Sequence, residues 1–135
     1  MKVLVIDNEP NLRTAIKALL QAFCPEIKTI EEADGVKSGL QKIKAFQPDI
    51  VLLDVEMDDG SGFDLMKQVV NPGFQLIFVT AHNKYAIEAF QFSAIDYLLK
   101  PVDPDALQIS IQKAAVNMRN SNLQQQVQIL LQQLA

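Results

Sequence analysis

The chain has 135 residues, 49% of them hydrophobic and 21% charged, which suits one domain with its own core and does not suit a disordered segment. Twelve basic and 16 acidic residues leave a net charge of −4, so direct nucleic-acid binding is disfavoured and any DNA contact is expected from another module. The single cysteine, Cys24, cannot form an internal disulfide, and apolar runs of about four residues fall far short of the roughly 18 that suggest a membrane span. Asp7 interrupts the first apolar run, so the start does not read as a signal peptide, and a reducing cytoplasmic setting is expected.

Residues 3–6, VLVI, are an unbroken aliphatic run of the kind a strand buried on both faces requires. Leu12, Ile16, Leu19, Leu20 and Phe23 follow at helical spacing, and Pro25 stops that helix. A weaker second strand is expected over 27–30. Val36, Leu40, Ile43 and Phe46 then mark a helix closed by Pro48. Residues 50–53 give the third strand. Gly60 and Gly62 make a flexible loop, and Phe63, Met66, Val69 and Val70 a short helix. Residues 76–79 form the fourth strand, Tyr85, Ala89 and Phe90 the fourth helix, and 95–99 the fifth strand. Asp103 is a good N-cap with Pro104 in the first helical position, so a fifth helix begins there. Strict β-α alternation argues for a parallel sheet covered by helices on both faces.

In such a sheet the ligand site lies beyond the carboxyl ends of the strands. The residues expected there are Asp7, Asn8 and Glu9 after the first strand, Asp54 after the third with Glu56, Asp58 and Asp59 just beyond, Thr80 after the fourth, and Lys100-Pro101 after the fifth. Any one of these could simply be the polar end of a strand, and Glu56, Asp58 and Asp59 read first as a solvated loop. Their common theme is harder to set aside. Clustered acids repel unless a cation sits among them. Mg²⁺ suits oxygen ligands, a carboxylate beside it can act as a nucleophile toward phosphorus, and Lys100 and Thr80 could hold phosphoryl oxygens.

The segments VLVIDNEP, PDIVLLDVEMDDGSGFDL, FVTAHNKYAIEAF and AIDYLLKPVD resemble, in order and spacing, the receiver domains of two-component response regulators. The wording from Thr80 to Pro101 is most similar to receivers of the LytR/AlgR class, which usually precede a LytTR DNA-binding domain. The likeness spans about 1–118 and implies a doubly wound, flavodoxin-like sheet of order 2-1-3-4-5, with 119–135 as a helical extension toward an output domain. It implies that Asp54 is phosphorylated by a sensor histidine kinase. It also implies that Asp7, Asn8, Asp54 and the Glu56 backbone carbonyl hold Mg²⁺. Thr80 and Lys100 would bind the phosphoryl group, Tyr97 would be the switch aromatic, the bond before Pro101 would be cis, and Glu56 and His82 would sit where dephosphorylation rate is set. Asn8 departs from the family's usual aspartate, which removes one charge from the metal pocket.

The last helix carries a second pattern. Val116, Asn120, Leu123, Val127, Leu130 and Leu134 step by four and three, an a/d heptad seam with Asn120 at an a position. The same stripe could instead pack on another domain; a homodimer through the fourth-helix, fifth-strand and fifth-helix face and this seam is expected, with no membrane partner. Two rival readings remain. One is a pseudo-receiver that only dimerises. The other is a haloacid dehalogenase-like phosphohydrolase, whose acceptor would follow the first strand.

Overall fold

A computed structural model describes residues 1–134. Five strands, β1 (Lys2–Ile6), β2 (Thr29–Ala33), β3 (Ile50–Leu53), β4 (Gln75–Thr80) and β5 (Asp96–Leu99), form one parallel sheet of order β2-β1-β3-β4-β5. The helices are α1 (Pro10–Phe23), α2 (Val36–Phe46), α3 (Gly62–Lys67), α4 (Ala86–Phe90, after a 3₁₀ turn at Asn83–Tyr85) and α5 (Pro104–Leu134). A two-residue ribbon, Glu56–Met57 with Gly60–Ser61, precedes α3.

The aliphatic runs explain the layering. Side chains alternate across a strand, so an unbroken run feeds two cores at once. Leu4, Ile6, Leu53 and Phe78 meet Val36 of α2, Phe63 and Leu65 of α3, and Ala89 of α4. Val3, Val5, Leu52 and Ile77 meet Ile16 and Leu20 of α1 and Leu107 and Ile111 of α5. Each fully buried aliphatic side chain contributes about 1.5–3 kcal/mol.

Three expected boundaries move. The second strand lies at Thr29–Ala33, not 27–30, because its backbone pairs residue for residue with Lys2–Ile6. Ile27 and Ile30 still pack on the α1 side. Glu31 and Glu32, which made this stretch look unlike a strand, point to opposite faces at the sheet edge. Lys42 of α2 covers Glu31 at 2.6 Å, and Arg13 and Lys17 of α1 reach Glu32 at 3.0 Å. Charged edge residues of this kind also discourage strand addition. The third helix stops at Lys67. Ser61 and Asp64 close a capping box at its start, and Val70, expected inside it, is exposed. The fourth helix is a 3₁₀ turn plus five residues, with Ile87 and Phe90 exposed.

The fifth helix starts where Asp103 accepts the Ala106 N–H at 3.0 Å. It runs unbroken for 31 residues, and from Arg119 to Leu134 every residue is exposed. Ala135, the last residue of the expected extension, lies outside the described residues.

Candidate functional site

Asp7 and Asp54 each stand one residue beyond adjacent central strands. Backbone bonds continue the ladder to them: the Asp7 N–H donates to the Ala33 carbonyl and the Asp54 N–H to the Ile6 carbonyl, both at 3.0 Å. Both carboxylates are buried, at 2% and 4% exposure. Lys100, after β5, reaches back between them. Its Nζ lies 2.9 Å from Asp7 Oδ2, 3.1 Å from Asp54 Oδ2 and 3.7 Å from Glu9 Oε1. The Lys100–Pro101 peptide bond is cis. The pocket therefore sets two buried acids and one exposed acid against a single ammonium.

Burial pushes the Asp7 carboxyl up from its ordinary value, against the opposing pull of the Glu9 N–H and Lys100. Burial disfavours the Lys100 charge, but its bonds to Asp7 and Asp54 outweigh that and hold the ammonium above the ordinary lysine value. Thr80 ends β4 with 1% exposure, and among the described residues its Oγ1 is the buried side-chain polar atom without a hydrogen-bond partner.

Gly62 is a participant that its sequence role as a turn former did not reveal. A Cβ there would stand 2.4 Å from the Asp54 carbonyl oxygen, so α3 can begin this close to the pocket only with glycine.

The other expected residues divide. Asn8 is half-buried, and its Nδ2 donates to Asp58 Oδ1 at 3.3 Å. Asp59 is exposed in its loop, as expected, but it also has a structural role. Its two oxygens accept the Val36 and Lys37 N–H groups at 2.7 and 3.1 Å, making it the cap of α2, and those bonds lower its pKa. Glu56 gives its N–H to Asp54 Oδ1 at 3.3 Å, while its side chain faces away. That side chain accepts the Tyr85 hydroxyl at 2.6 Å and lies 3.2 Å from His82 Nε2. The Tyr85 bond is the main cause of its lowered pKa. The Tyr97 hydroxyl donates to the His82 carbonyl, and its ring lies 6.4 Å from Phe78. Tyr85 was legible only as a helix marker; nothing in its spacing signalled a hydroxyl bridging two loops.

The donor set fits a hard divalent cation. Two buried carboxylates share one counter-charge, and carboxylate oxygens are hard ligands. No group of three His, Cys, Asp or Glu side chains converges among the described residues. Two carboxylates fall short of a dedicated protein cage and suit a cation that keeps several of its own waters, as Mg²⁺ does.

The response regulator receiver domain family matches residues 3–112. The sensory transduction protein LytT of Bacillus cereus is 38% identical over 116 residues, 84% of this chain and 46% of that protein. The sensory transduction protein LytR of Staphylococcus haemolyticus is 35% identical over 125 residues, 90% of this chain and 48% of that protein. The chain thus spans about half the length of the curated relatives it matches. The fold is similar to a CheY-like response regulator receiver domain protein from Methanospirillum hungatei, with a TM-score of 0.79 at 23% identity over 89% of this chain and 97% of that one. With the doubly wound sheet and the Asp7–Lys100–Asp54 cluster already in place, the matched span settles the family: the chain belongs to the response regulator receiver domains and is LytT/LytR-like.

Proposed function

We propose that this receiver is switched by phosphorylation of Asp54, with the phosphohistidine of a sensor histidine kinase as donor. The observation that carries the reading is Lys100, an ammonium bridging two buried carboxylates in a pocket where Thr80 buries a hydroxyl without a partner. An Asp54 carboxylate oxygen attacks phosphorus, the P–N bond of the donor breaks, and the imidazole leaves with the bonding pair and takes a proton from solvent. Asp7, Asn8, Asp54 and the Glu56 carbonyl would hold Mg²⁺, which supplies the positive charge that lets an anionic donor approach the acids. Lys100 exchanges its Asp54 contact for a phosphoryl oxygen, and the Thr80 hydroxyl donates to another. Glu56 and His82, joined at the rim, govern how water reaches the acyl phosphate.

The relatives, about twice as long as this chain, leave room for an output region. A LytTR-type DNA-binding region elsewhere in the full-length cytoplasmic protein would be regulated by homodimerisation of this receiver. The test is mass measurement after acetyl phosphate and Mg²⁺. One phosphoryl group is expected on the wild type and none on Asp54→Asn; undiminished labelling of that variant overturns the assignment.

A further inference from the structure

The outward face of α5 continues into the folded domain. Stepping back from Asn120 at an a position, the d positions are Val116 and Ile109 and the preceding a position is Lys113; stepping forward, they are Leu123, Val127, Leu130 and Leu134. Every one of these residues is exposed, the apolar ones between 47% and 83%. The residues that anchor α5 to the sheet, Leu107, Ser110, Ile111 and Ala114, are buried on the opposite side of the helix. The seam is thus one stripe of about 39 Å that begins inside the receiver and points away from the sheet.

We infer that α5 forms a parallel, in-register two-stranded coiled coil with a second copy of this chain, starting at Ile109. The occupant is a second copy because an a-position asparagine is complementary to its own copy across a two-fold axis. In the parallel register Asn120 meets Asn120 across the two-fold axis and its amide is satisfied. An antiparallel pairing, or a purely apolar partner surface, leaves that amide buried against aliphatic carbon. Lys113 is the less comfortable a residue, and the receiver accommodates it. Asp96 of β5 lies 3.3 Å from its Nζ, which draws the ammonium to the flank of the seam. Between Asn120 and Leu134 there is no charged side chain to repel a copy. Six half-exposed aliphatic residues per copy with their flanks bury on the order of 1,000 Å², the lower bound for a specific interface, so a reversible dimer is expected.

This deepens the dimer output proposed above by moving the contact. It lies on the outer face of α5 and leaves Ile87 and Phe90 of α4 uncovered. The test is homotypic disulfide cross-linking of whole-chain variants that each carry one added cysteine; the native Cys24 is buried and does not compete. Ile109→Cys and Leu123→Cys should each cross-link to their own counterpart at least tenfold faster than Gln108→Cys and Gln125→Cys, which lie off the seam. Equal rates at all four positions overturn the coiled coil. Fast cross-linking at 123 but not at 109 overturns its start inside the receiver. A Leu123→Asp, Leu130→Asp variant should sediment as a folded monomer and still be labelled on Asp54, whereas Asp54→Asn should keep the cross-links. The two failures are therefore separable.

Discussion

Replacing Lys100 by Met keeps the aliphatic stem and removes only the ammonium. In the wild type that group lies 2.9 Å from Asp7 and 3.1 Å from Asp54, whose side chains are nearly inaccessible. Breaking a buried ion pair from one side costs about 3–5 kcal/mol, because the charge left behind has no compensation. For a domain of this size that is a fall in Tm of roughly 10–20 °C. The pH dependence fixes the cause. Burial already raises Asp7 above its ordinary value, and losing the ammonium raises it further. A folded carboxyl with a raised pKa binds more protons than its unfolded form, so the variant regains stability as pH falls through that raised value. The deficit should therefore be greatest well above that raised value and shrink as pH falls toward and through it. In the wild type the raised Lys100 value means that its contribution persists up to the unfolded lysine pKa near 10.4 and is lost above it. Thermal melts in chelator across this range are the assay. Millimolar Mg²⁺ should raise the variant's midpoint more than the wild type's. Equal midpoints at neutral pH, or a deficit that does not shrink on acidification, would refute the compensation argument.

Asn8→Asp should tighten Mg²⁺ binding about tenfold, since a carboxylate attracts a hard dication more than an amide does, and calorimetric titration reads it directly. Without metal the same variant should melt lower, because the new carboxylate faces Asp58. Asp59→Ala should lower the denaturation midpoint at neutral pH by uncapping α2. Because Asp59 has a lowered pKa, the wild type's advantage is present above the unfolded aspartate value near 3.9 and disappears as pH falls through the lower folded value, which denaturation at pH 7 and below pH 3 checks. Thr80→Val should stabilise the unphosphorylated domain by about 1 kcal/mol in chemical denaturation, and should abolish the change in dimer fraction produced by beryllofluoride.

The layering was readable because the four-residue aliphatic runs admit only a strand with two covered faces. The strand ends were readable because each run closes on its first polar residue: Asp7, Asp54, Thr80 and Lys100. The edge strand was misplaced for a related reason. Glu31 and Glu32 break the apolar signal, and their stabilisation comes from Arg13, Lys17 and Lys42, which are distant in sequence. Asp59 illustrates a second limit. Its local context is an acidic loop, and only the fold brings the unpaired N–H groups of α2 to it. Periodicity located the tail seam but not its beginning. Ile109 looked like any residue of a domain helix until the opposite face of α5 was seen to hold the sheet.

If Asp54 is phosphorylated, one contribution to the resulting change is already stored at Thr80. The Thr80 hydroxyl has no protein partner among the described residues, and a buried hydroxyl left unbonded costs about 1–3 kcal/mol. If Asp54 is the acceptor site, the new phosphoryl oxygens offer Thr80 the partner it lacks, and much of that free energy becomes available to move neighbours. Strand β5 is the neighbour in register, with Thr80 opposite Leu99 and Phe78 opposite Tyr97. Tyr97 and Asp96 are consecutive, so they point to opposite faces of the sheet. Tyr97 is tied to the His82 carbonyl on the α4 side, while Asp96 accepts the Ser110 hydroxyl at 2.6 Å and pairs with Lys113 on the α5 side. A shift of β5 that frees Tyr97 must also move the carboxylate that keeps Lys113 at the flank of the seam. Couplings of about 1–3 kcal/mol change an affinity by roughly 5–150-fold. That range is large enough to shift a marginal coiled coil between monomer and dimer, and too small to act on one that is already tight.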